Sequence, residues 1–199
     1  MGEKLEIYKG CMASGKSNAI IERANELEAN GLTIACIKPD FEVRDNGIES
    51  RNSARRDAIP VESLGKAALI DAVDEADAVV VDELFFFNGD LLEDSIDTIN
   101  SWLERKRHIV AATLDYSAMG RLMTVYEAVV GSFDPVLIDC TEAECRDHDN
   151  PVQATRTQII EKSTGAIIRD GLPELVPEDP KHPTYTYKPV CVDCFGTQA

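Results

Sequence analysis

The sequence has little positive charge. Its 199 residues include 20 lysines and arginines against 36 aspartates and glutamates, which gives a formal net charge of −16 at pH 7. Because a nucleic acid backbone is itself a polyanion, this balance disfavours binding along DNA or RNA. A small nucleotide is still allowed, since magnesium and local amides can offset its charge. The acidic composition fits an ordinary soluble protein and also fits adaptation to high salt.

Long hydrophobic runs are also missing. No stretch approaches the ~20 apolar residues that a membrane-spanning helix needs, and the N-terminus lacks the apolar segment of a signal peptide. We therefore expect a cytoplasmic protein with no membrane partner. In that reducing compartment the six cysteines are expected to be reduced.

The strongest motif lies near the N-terminus. A short apolar run at residues 5–8 leads into a complete phosphate-binding loop and then into a helical pattern. The glycines of such a loop let backbone N–H groups surround a phosphate, Lys16 can reach the terminal phosphates, and the Ser17 hydroxyl can ligate magnesium. A glycine-rich turn that binds nothing would leave Lys16 beside a positive helix end without an anion. The predicted nucleotide-binding residues are Gly10, Cys11, Met12, Ala13, Ser14, Gly15, Lys16 and Ser17.

Apolar runs and helical patterns alternate through the first two thirds of the chain. Continuous apolar runs such as residues 79–81 fit a parallel sheet that is covered on both faces, so we predict a doubly wound α/β nucleotide-binding core. One helix is expected to face that core with four residues at helical spacing. The predicted strands are residues 5–8, 32–37, 59–61, 78–81 and 109–114, and the four helix residues are Leu92, Ile96, Ile99 and Leu103.

The pattern changes after Phe133. Helical periodicity gives way to short β-like segments and then to a proline-rich stretch. A chain of this length can bury one full core and a small additional module. We therefore predict a nucleotide-binding core over residues 1–133 and a smaller unit over residues 134–199. The β-like segments of the second unit are residues 136–138, 155–160 and 166–168.

A second motif consists of an apolar strand that ends in two carboxylates, Asp82 and Glu83. This is the form of a Walker B segment. Asp82 could hold hydrated magnesium, and Glu83 could accept a proton from an acceptor hydroxyl or orient a water. Acidic pairs at strand ends are also common as simple caps, but the phosphate loop upstream favours the functional interpretation.

A third motif indicates a metal site. Cys191 and Cys194 have the Cys-x2-Cys spacing of a zinc knuckle, and a structural zinc needs two further ligands. We predict Cys140 and Cys145 as those ligands, with His148 as the alternative, because Cys145 and His148 have the more usual spacing. A small β-rich unit gains stability from such a metal. The other possibilities are free thiols or a disulfide, which a reducing cytosol disfavours.

With these motifs in order, the chain resembles the thymidine kinase family, in which a RecA-like P-loop core is joined to a zinc-binding lasso domain. The resemblance runs nearly from end to end. It rests on Met12 and Ser14 within the phosphate loop, Lys38-Pro39 with Arg44, Asp82-Glu83 with Phe86-Phe87, Leu114-Asp115, Ala154 to Gln158, and Tyr187 before Cys191.

The resemblance implies an ATP-dependent deoxynucleoside kinase that phosphorylates the 5′-hydroxyl of thymidine or an analogue. It implies Mg2+ and structural Zn2+ as cofactors and a homo-oligomer, either tetramer or dimer. By the same resemblance Glu83 is the catalytic base and Arg44 contacts the phosphate or the transition state. The implied nucleoside contacts are Phe86, Ala118, Val176 and Tyr187.

The nucleoside site departs from the family pattern. Phe85 stands where the family has glutamine, Ala118 where it has an aromatic residue, and Ile159 and Val192 where it has arginine. The three phenylalanines at positions 85–87 could replace part of the stacking surface, or they could be core residues. Two other functions stay open: an ATPase or kinase for another small hydroxyl acceptor, and a catalytically silent module that binds nucleotide for regulation.

Overall fold

The computed structural model describes residues 4–40, 47–49, 54–168 and 184–197. Within these ranges the chain forms strands β1 (Lys4–Lys9), β2 (Ile34–Pro39), β3 (Gly47–Glu49), β4 (Arg55–Asp57), β5 (Ile59–Val61), β6 (Ala78–Val81), β7 (His108–Thr113), β8 (Val136–Asp139), β9 (Arg156–Glu161) and β10 (Tyr185–Val190). The helices are α1 (Lys16–Ala29), α2 (Leu64–Ala67), α3 (Asp71–Asp74), α4 (Leu92–Glu104) and α5 (Thr124–Phe133), with short 3₁₀ helices at Leu84–Phe86 and Gly89–Leu91.

Six strands form one parallel sheet in the order β5-β2-β6-β7-β1-β8. Strand β7 therefore lies between β1, which leads into the phosphate loop, and β6, which leads into Asp82 and Glu83. The carboxyl ends of parallel strands meet at the same edge of a sheet, where α/β proteins bind their ligands. The predicted α/β fold with a RecA-like P-loop core is confirmed.

Both faces of the sheet are covered, which explains the continuous apolar runs. Alternate residues of β6 and β7 pack into two separate clusters, one against α1 and the other against α4 and α5. Of the predicted α4 face, Ile99 is fully buried, and its neighbours Leu92, Ile96 and Leu103 are partly buried against the same cluster. Trp102, which was not predicted, is also fully buried there. Among the described helices, none is long and apolar enough to cross a membrane.

The C-terminal third differs from its prediction in two places. Strand β10 was not predicted and forms an antiparallel hairpin with β9, whereas residues 166–168 contribute only an isolated bridge from Ile167. Earlier in the chain, strands β3 and β4 pair as a second hairpin, in a segment that was expected to be a polar loop. Strand β8 is C-terminal to residue 133, yet it is an edge strand of the large sheet. The division into two units stays a prediction.

A buried charge cluster ties the start of β1 to α1 and β7. Glu6 is 3% exposed, and its carboxylate accepts hydrogen bonds from Arg23 Nε and Nη2, both at 2.9 Å. His108 Nε2 lies 3.0 Å from Glu6 Oε1, and Lys4 Nζ lies 2.8 Å from the same oxygen. Burial alone would raise the pKa of Glu6, but these three partners outweigh it and hold that pKa well below its usual range.

Candidate functional site

The phosphate loop connects the end of β1 to the start of α1. Gly15, the residue before the helix, has φ 89°, in the left-handed region that favours glycine. At Gly10 the constraint is also one of space, because a Cβ there would lie 2.7 Å from both the Cys140 carbonyl oxygen and Ser14 Oγ. Both glycines therefore allow a tight loop conformation that a residue with a side chain would strain or block.

Polar groups converge inside the loop. The Lys16 ammonium folds back and donates to the carbonyl oxygens of Cys11 at 2.8 Å and Gly10 at 3.2 Å. Ser14 Oγ is buried and has no hydrogen-bond partner in the described part of the chain. A buried hydroxyl without a partner loses free energy unless a ligand or water satisfies it. The loop, with its free hydroxyl and a lysine at its mouth, fits a phosphate group.

The two carboxylates after β6 lie beside the loop. Asp82 is buried, and Ser17 Oγ lies 3.4 Å from each of its carboxylate oxygens. A hydroxyl and a carboxylate at this spacing are hard oxygen ligands suited to Mg2+. Glu83 follows with φ 53° and ψ 42°, and its backbone N–H donates to Asp82 Oδ1 at 3.0 Å. This conformation is uncommon for a non-glycine residue.

Lys9 provides a further charge at this edge of the sheet that sequence reasoning missed. Its ammonium forms an ion pair with Asp139 and lies 3.5 Å from Asp115 Oδ2. Burial lowers the pKa of Lys9, but the two carboxylates outweigh that effect and leave it above its ordinary value. The other Asp115 oxygen is buried and has no hydrogen-bond partner among the described residues.

Segments from the C-terminal third contact the phosphate loop directly. The Met12 N–H donates to Thr157 Oγ1 at 2.9 Å, and Cys11 Sγ lies 3.4 Å from the Ala154 carbonyl oxygen. Burial raises the pKa of the Cys11 thiol, which therefore stays neutral at physiological pH. Neither contact carries a signal in the local sequence, because the partners are far apart along the chain.

A carboxylate also lies at the mouth of the loop. Glu142 is exposed, yet a Cβ placed on Gly15 would lie only 2.4 Å from its Cδ and 2.5 Å from Oε2. The Glu142 backbone N–H donates to the Ser14 carbonyl oxygen at 3.2 Å, which fixes the backbone beside the loop. The side chain thus places a negative charge next to the position that an anion would approach.

The predicted nucleoside contacts lie on different elements of the fold. Phe86 is 6% exposed and packs in the core with Phe85, with ring centroids 4.2 Å apart, and Phe87 is buried in the same cluster. These positions support the interpretation of the three phenylalanines as core residues. Ala118 lies in the turn after β7, and Tyr187 is half-buried in β10. Arg44 and Val176 lie outside the described residues.

Four side chains form a candidate metal centre between the segment after β8 and the end of β10. The donor atoms of Cys145, His148, Cys191 and Cys194 all lie within 4.8 Å of one another. His148 Nε2 is 3.3 Å from Cys191 Sγ and 3.2 Å from Cys194 Sγ. Zinc bound tetrahedrally at its usual bond lengths places donor atoms about 3.3–3.8 Å apart. The four side chains therefore fit Zn2+.

Cys140 does not join this cluster, so the predicted ligand set is corrected in favour of its alternative, His148. The Cys140 backbone N–H donates to the Lys9 carbonyl oxygen at 2.8 Å, which continues the pairing of β8 with β1 and holds Cys140 beside Gly10. Pairing with the sheet therefore keeps this cysteine next to the phosphate loop. The loop that follows carries Cys145 and His148 to the end of β10.

The thiols of the cluster influence one another. The Cys194 N–H and the His148 ring hydrogen-bond to Cys191 and lower its pKa to about 7. Desolvation and the neighbouring sulfurs raise the pKa of Cys194 to about 12. Thiols packed this closely cannot all ionise without a cation between them, so binding of a metal and loss of their protons are coupled.

Comparisons with known proteins agree with this geometry. The family model for thymidine kinase matches residues 3–150. The chain is 27% identical over 134 residues to a thymidine kinase of Coprothermobacter proteolyticus, and the match covers 66% of this chain and 65% of that protein. It is 32% identical over 98 residues to a thymidine kinase of Metamycoplasma arthritidis, covering 48% of this chain and 50% of the relative. The chain thus spans about half to two thirds of these relatives.

Solved structures with a similar chain path include the flagellar accessory protein FlaH from Methanocaldococcus jannaschii, with TM-score 0.48, 16% identity, and coverage of 70% of this chain and 72% of that one. AMPPCP-bound DnaA from Aquifex aeolicus gives TM-score 0.44 and 14% identity, with coverage of 72% and 42%. The assignment rests on the family match, which spans the phosphate loop, the Walker B carboxylates and the first half of the metal cluster. On this evidence the chain belongs to the thymidine kinase family.

Proposed function

We propose that the protein is an ATP-dependent deoxynucleoside kinase that transfers the γ-phosphoryl group of ATP to a nucleoside 5′-hydroxyl, with thymidine as the first acceptor to test. The observation that carries this proposal is the placement of Ser17 within 3.4 Å of Asp82, with Glu83 next in the chain. Membership of the thymidine kinase family supports the nucleoside as acceptor.

The phosphate loop supplies the binding of the phosphates. The Lys16 ammonium, which contacts two loop carbonyl oxygens, exchanges these for phosphate oxygens when nucleotide binds. The first N–H groups of α1 point at the same place and favour negative charge there. Ser14 Oγ, which has no partner among the described residues, gains an acceptor from the bound phosphate.

Ser17 and Asp82 are the residues that would hold Mg2+. The bound cation supplies positive charge to the phosphate oxygens as charge develops during transfer. Asp82 is well suited to this role because it is buried. Its backbone N–H donates to the Ile37 carbonyl oxygen at 3.0 Å, which holds the aspartate at the end of β6. The carboxylate is thereby positioned before the nucleotide arrives.

Glu83 acts as the general base. Its left-handed backbone turns the chain after β6, and Glu83 is partly buried whereas Asp82 is buried. In that position Glu83 accepts the proton of the 5′-hydroxyl as the hydroxyl oxygen attacks phosphorus. Two carboxylates with different environments can then serve two roles, one for the cation and one for the proton.

The test is an assay of product monophosphate and of nucleoside-independent ADP, with magnesium-ATP and a panel of deoxynucleosides that includes thymidine and deoxyuridine. We expect thymidine monophosphate from the wild-type protein and a loss of turnover by orders of magnitude in Glu83→Gln, with ATP affinity nearly unchanged. Glu75→Gln, on an exposed residue, is the matched control. Full activity in Glu83→Gln would show that Glu83 is not the general base.

The same assay separates the other functions. Product from another nucleoside alone would keep the phosphoryl transfer and change the acceptor, which would direct attention to Ala118 and Phe85. ADP without any nucleoside product would identify an ATPase. Nucleotide binding without turnover would identify a regulatory module.

We further propose a cytoplasmic homo-oligomer, either tetramer or dimer, that binds no nucleic acid polymer and no membrane. The net charge of −16 supports the absence of a polyanionic partner. Light scattering coupled to size-exclusion chromatography measures the oligomeric state directly. A monomer at micromolar concentration would contradict this proposal.

A further inference from the structure

Arg156 and Tyr116 form a stacked pair above the carboxyl edge of the sheet. The Arg156 guanidinium carbon lies 3.6 Å from the centroid of the Tyr116 ring. Arg156 begins β9, and Tyr116 lies shortly after β7, in a turn that is closed by a bridge to Leu122. A cation over the face of a tyrosine is attracted by the ring electrons, and the contact fixes the plane of the guanidinium.

The guanidinium of Arg156 has no carboxylate partner in the described ranges, although the chain is rich in acidic residues. Its contacts there are the Tyr116 ring and a hydrogen bond from Nη1 to the Thr155 carbonyl oxygen at 2.8 Å. By contrast, Arg23, Arg56 and Arg105 each form an ion pair with a glutamate or aspartate. Arg156 is only partly buried, so its remaining N–H groups are free to bind an anion.

The neighbours of Arg156 place it beside the phosphate loop. Ala154 contacts Cys11 and Thr157 contacts Met12, as described above. The Lys16 ammonium donates to the Cys11 carbonyl oxygen at 2.8 Å, and the Cys11 thiol lies 3.4 Å from the carbonyl oxygen of Ala154, two residues before Arg156. Tyr116 follows β7, the strand that lies between the strand of the phosphate loop and the strand of Asp82.

We propose that Arg156 contacts the transferred phosphoryl group and is a further catalytic residue, and that Tyr116 is the positioning residue that holds its guanidinium in place. This inference rests on the proposed phosphoryl transfer. During transfer the bond from the acceptor oxygen to γ-phosphorus forms, the bond from γ-phosphorus to the bridging oxygen breaks, and ADP leaves. The hydroxyl proton passes to Glu83. A planar fork of N–H donors matches the oxygens of the phosphoryl group in that transition state.

The composition gives this residue its importance. The net charge of the chain is −16, and among the described residues Lys9 is already paired with Asp139 and Asp115. Lys16 and Arg156 are two cations beside the loop that have no carboxylate partner among the described residues. Lys16 serves the bound phosphates, and Arg156 is held by a different strand, β9.

The experiment compares Arg156→Gln, Arg156→Lys, Tyr116→Phe and Tyr116→Leu with the control Arg121→Gln. Arg121 is exposed in the turn after Tyr116, so the control removes one nearby positive charge without touching the stack. We expect kcat to fall about 100-fold in Arg156→Gln and about 10-fold in Arg156→Lys and Tyr116→Leu, because arginine contacts to a transferring phosphoryl group have effects of this order or larger. Tyr116→Phe keeps the ring and should retain nearly full activity.

A binding measurement distinguishes contact in the transition state from a structural role. Titration calorimetry gives the affinity for magnesium-ADP alone and for magnesium-ADP with aluminium fluoride and thymidine, which imitates the transferring group. Arg156→Gln should keep the first affinity within about threefold and lose the second by about 100-fold. If the two affinities fall equally, or neither changes, the proposal is overturned. If Arg156→Gln folds poorly, the same two affinities measured on Arg156→Lys test the proposal.

Failure of the proposed function would look different. A wild-type protein that yields no nucleoside monophosphate would contradict the kinase proposal. The fluoride complex would still test Arg156, with water in place of the nucleoside. Conversely, an active wild-type protein with fully active Arg156→Gln would overturn only the role of the arginine.

Discussion

The Met12 N–H and Thr157 Oγ1 are joined by a 2.9 Å hydrogen bond that links the phosphate loop to strand β9. Both residues are buried, at 8% and 3% exposure, so water cannot replace the bond. Strand β9 pairs with β10, which ends beside Cys191 of the metal cluster. The conformation of the loop is therefore coupled to the region that holds the candidate zinc site.

Replacing Thr157 with valine keeps the shape of the side chain and removes the acceptor. We expect the free energy of unfolding to fall by about 1–3 kcal/mol, because a buried N–H is left without a partner. Urea denaturation monitored by tryptophan fluorescence measures the change, and magnesium-ATP affinity should weaken in parallel. Thr157→Ser keeps the hydroxyl and serves as the control. Equal stability of the valine and serine variants would show that the bond contributes nothing.

Glu142→Gln should strengthen nucleotide binding. The Glu142 carboxylate lies against Gly15 at the mouth of the loop, where it repels an approaching phosphate. Two unit charges about 4 Å apart in water interact by about 1 kcal/mol, which corresponds to about a fivefold gain in magnesium-ATP affinity when the charge is removed. Calorimetric titration measures this gain. Glu144→Gln removes an exposed charge close by and should change affinity less.

The metal cluster predicts a specific pattern of zinc retention. Elemental analysis should find about one zinc per chain in the wild-type protein and in Cys140→Ser, because Cys140 lies outside the cluster. His148→Ala, Cys145→Ser and Cys191→Ser should lose the metal and unfold at a lower temperature, since a structural zinc contributes folding free energy. Zinc loss from Cys140→Ser together with retention by His148→Ala would reverse the ligand assignment.

Glu6 should make stability depend on acid pH. Its pKa is below the ordinary value of 4.5, so its ionised form stabilises the folded state above about pH 4.5, and that contribution is lost as the pH falls towards the folded-state pKa. Glu6→Gln breaks a buried pairing with Arg23 and should lower the free energy of unfolding at pH 7 by about 3–5 kcal/mol. Urea denaturation between pH 7 and pH 3 measures it.

The difference between wild type and Glu6→Gln should then shrink as the pH falls below about 4.5, because Glu6 binds a proton in the unfolded chain while it stays ionised in the folded protein. Glu22→Gln, on the exposed side of α1, is the control and should differ from wild type by about 0.5 kcal/mol or less. A difference between wild type and Glu6→Gln that stays constant over this pH range would show that ionisation of Glu6 is not its source.

The core could be predicted from the sequence because its signals are local. Residues 79–81 are all apolar because β6 is covered on both faces of the sheet. The phosphate loop forms the tight turn between β1 and α1, and its glycines predict that turn. These features are determined by residues that are close together in the chain, so a single sequence is enough to predict them.

The rest depends on contacts between distant segments. Strand β10 contains Lys188 and Pro189 and lacks a continuous apolar run, so only its pairing with β9 identifies it. The choice between Cys140 and His148 depends on where the chain leaves the large sheet, which spacing alone does not specify. In the same way, Phe86 belongs to the core because a 3₁₀ turn directs it there.

The position of β1 in the sheet has a consequence for folding. The strand is flanked by β7 and β8, with Lys4 opposite His108 and Glu6 opposite Val136. Both partners are distant in sequence, so the loop-closure entropy must be overcome before these contacts form, and folding through such contacts is slow. During synthesis on the ribosome, the segment that binds phosphate has no neighbouring strands until β7 (His108–Thr113) and β8 (Val136–Asp139) have been made. The nascent chain therefore acquires its nucleotide-binding loop late.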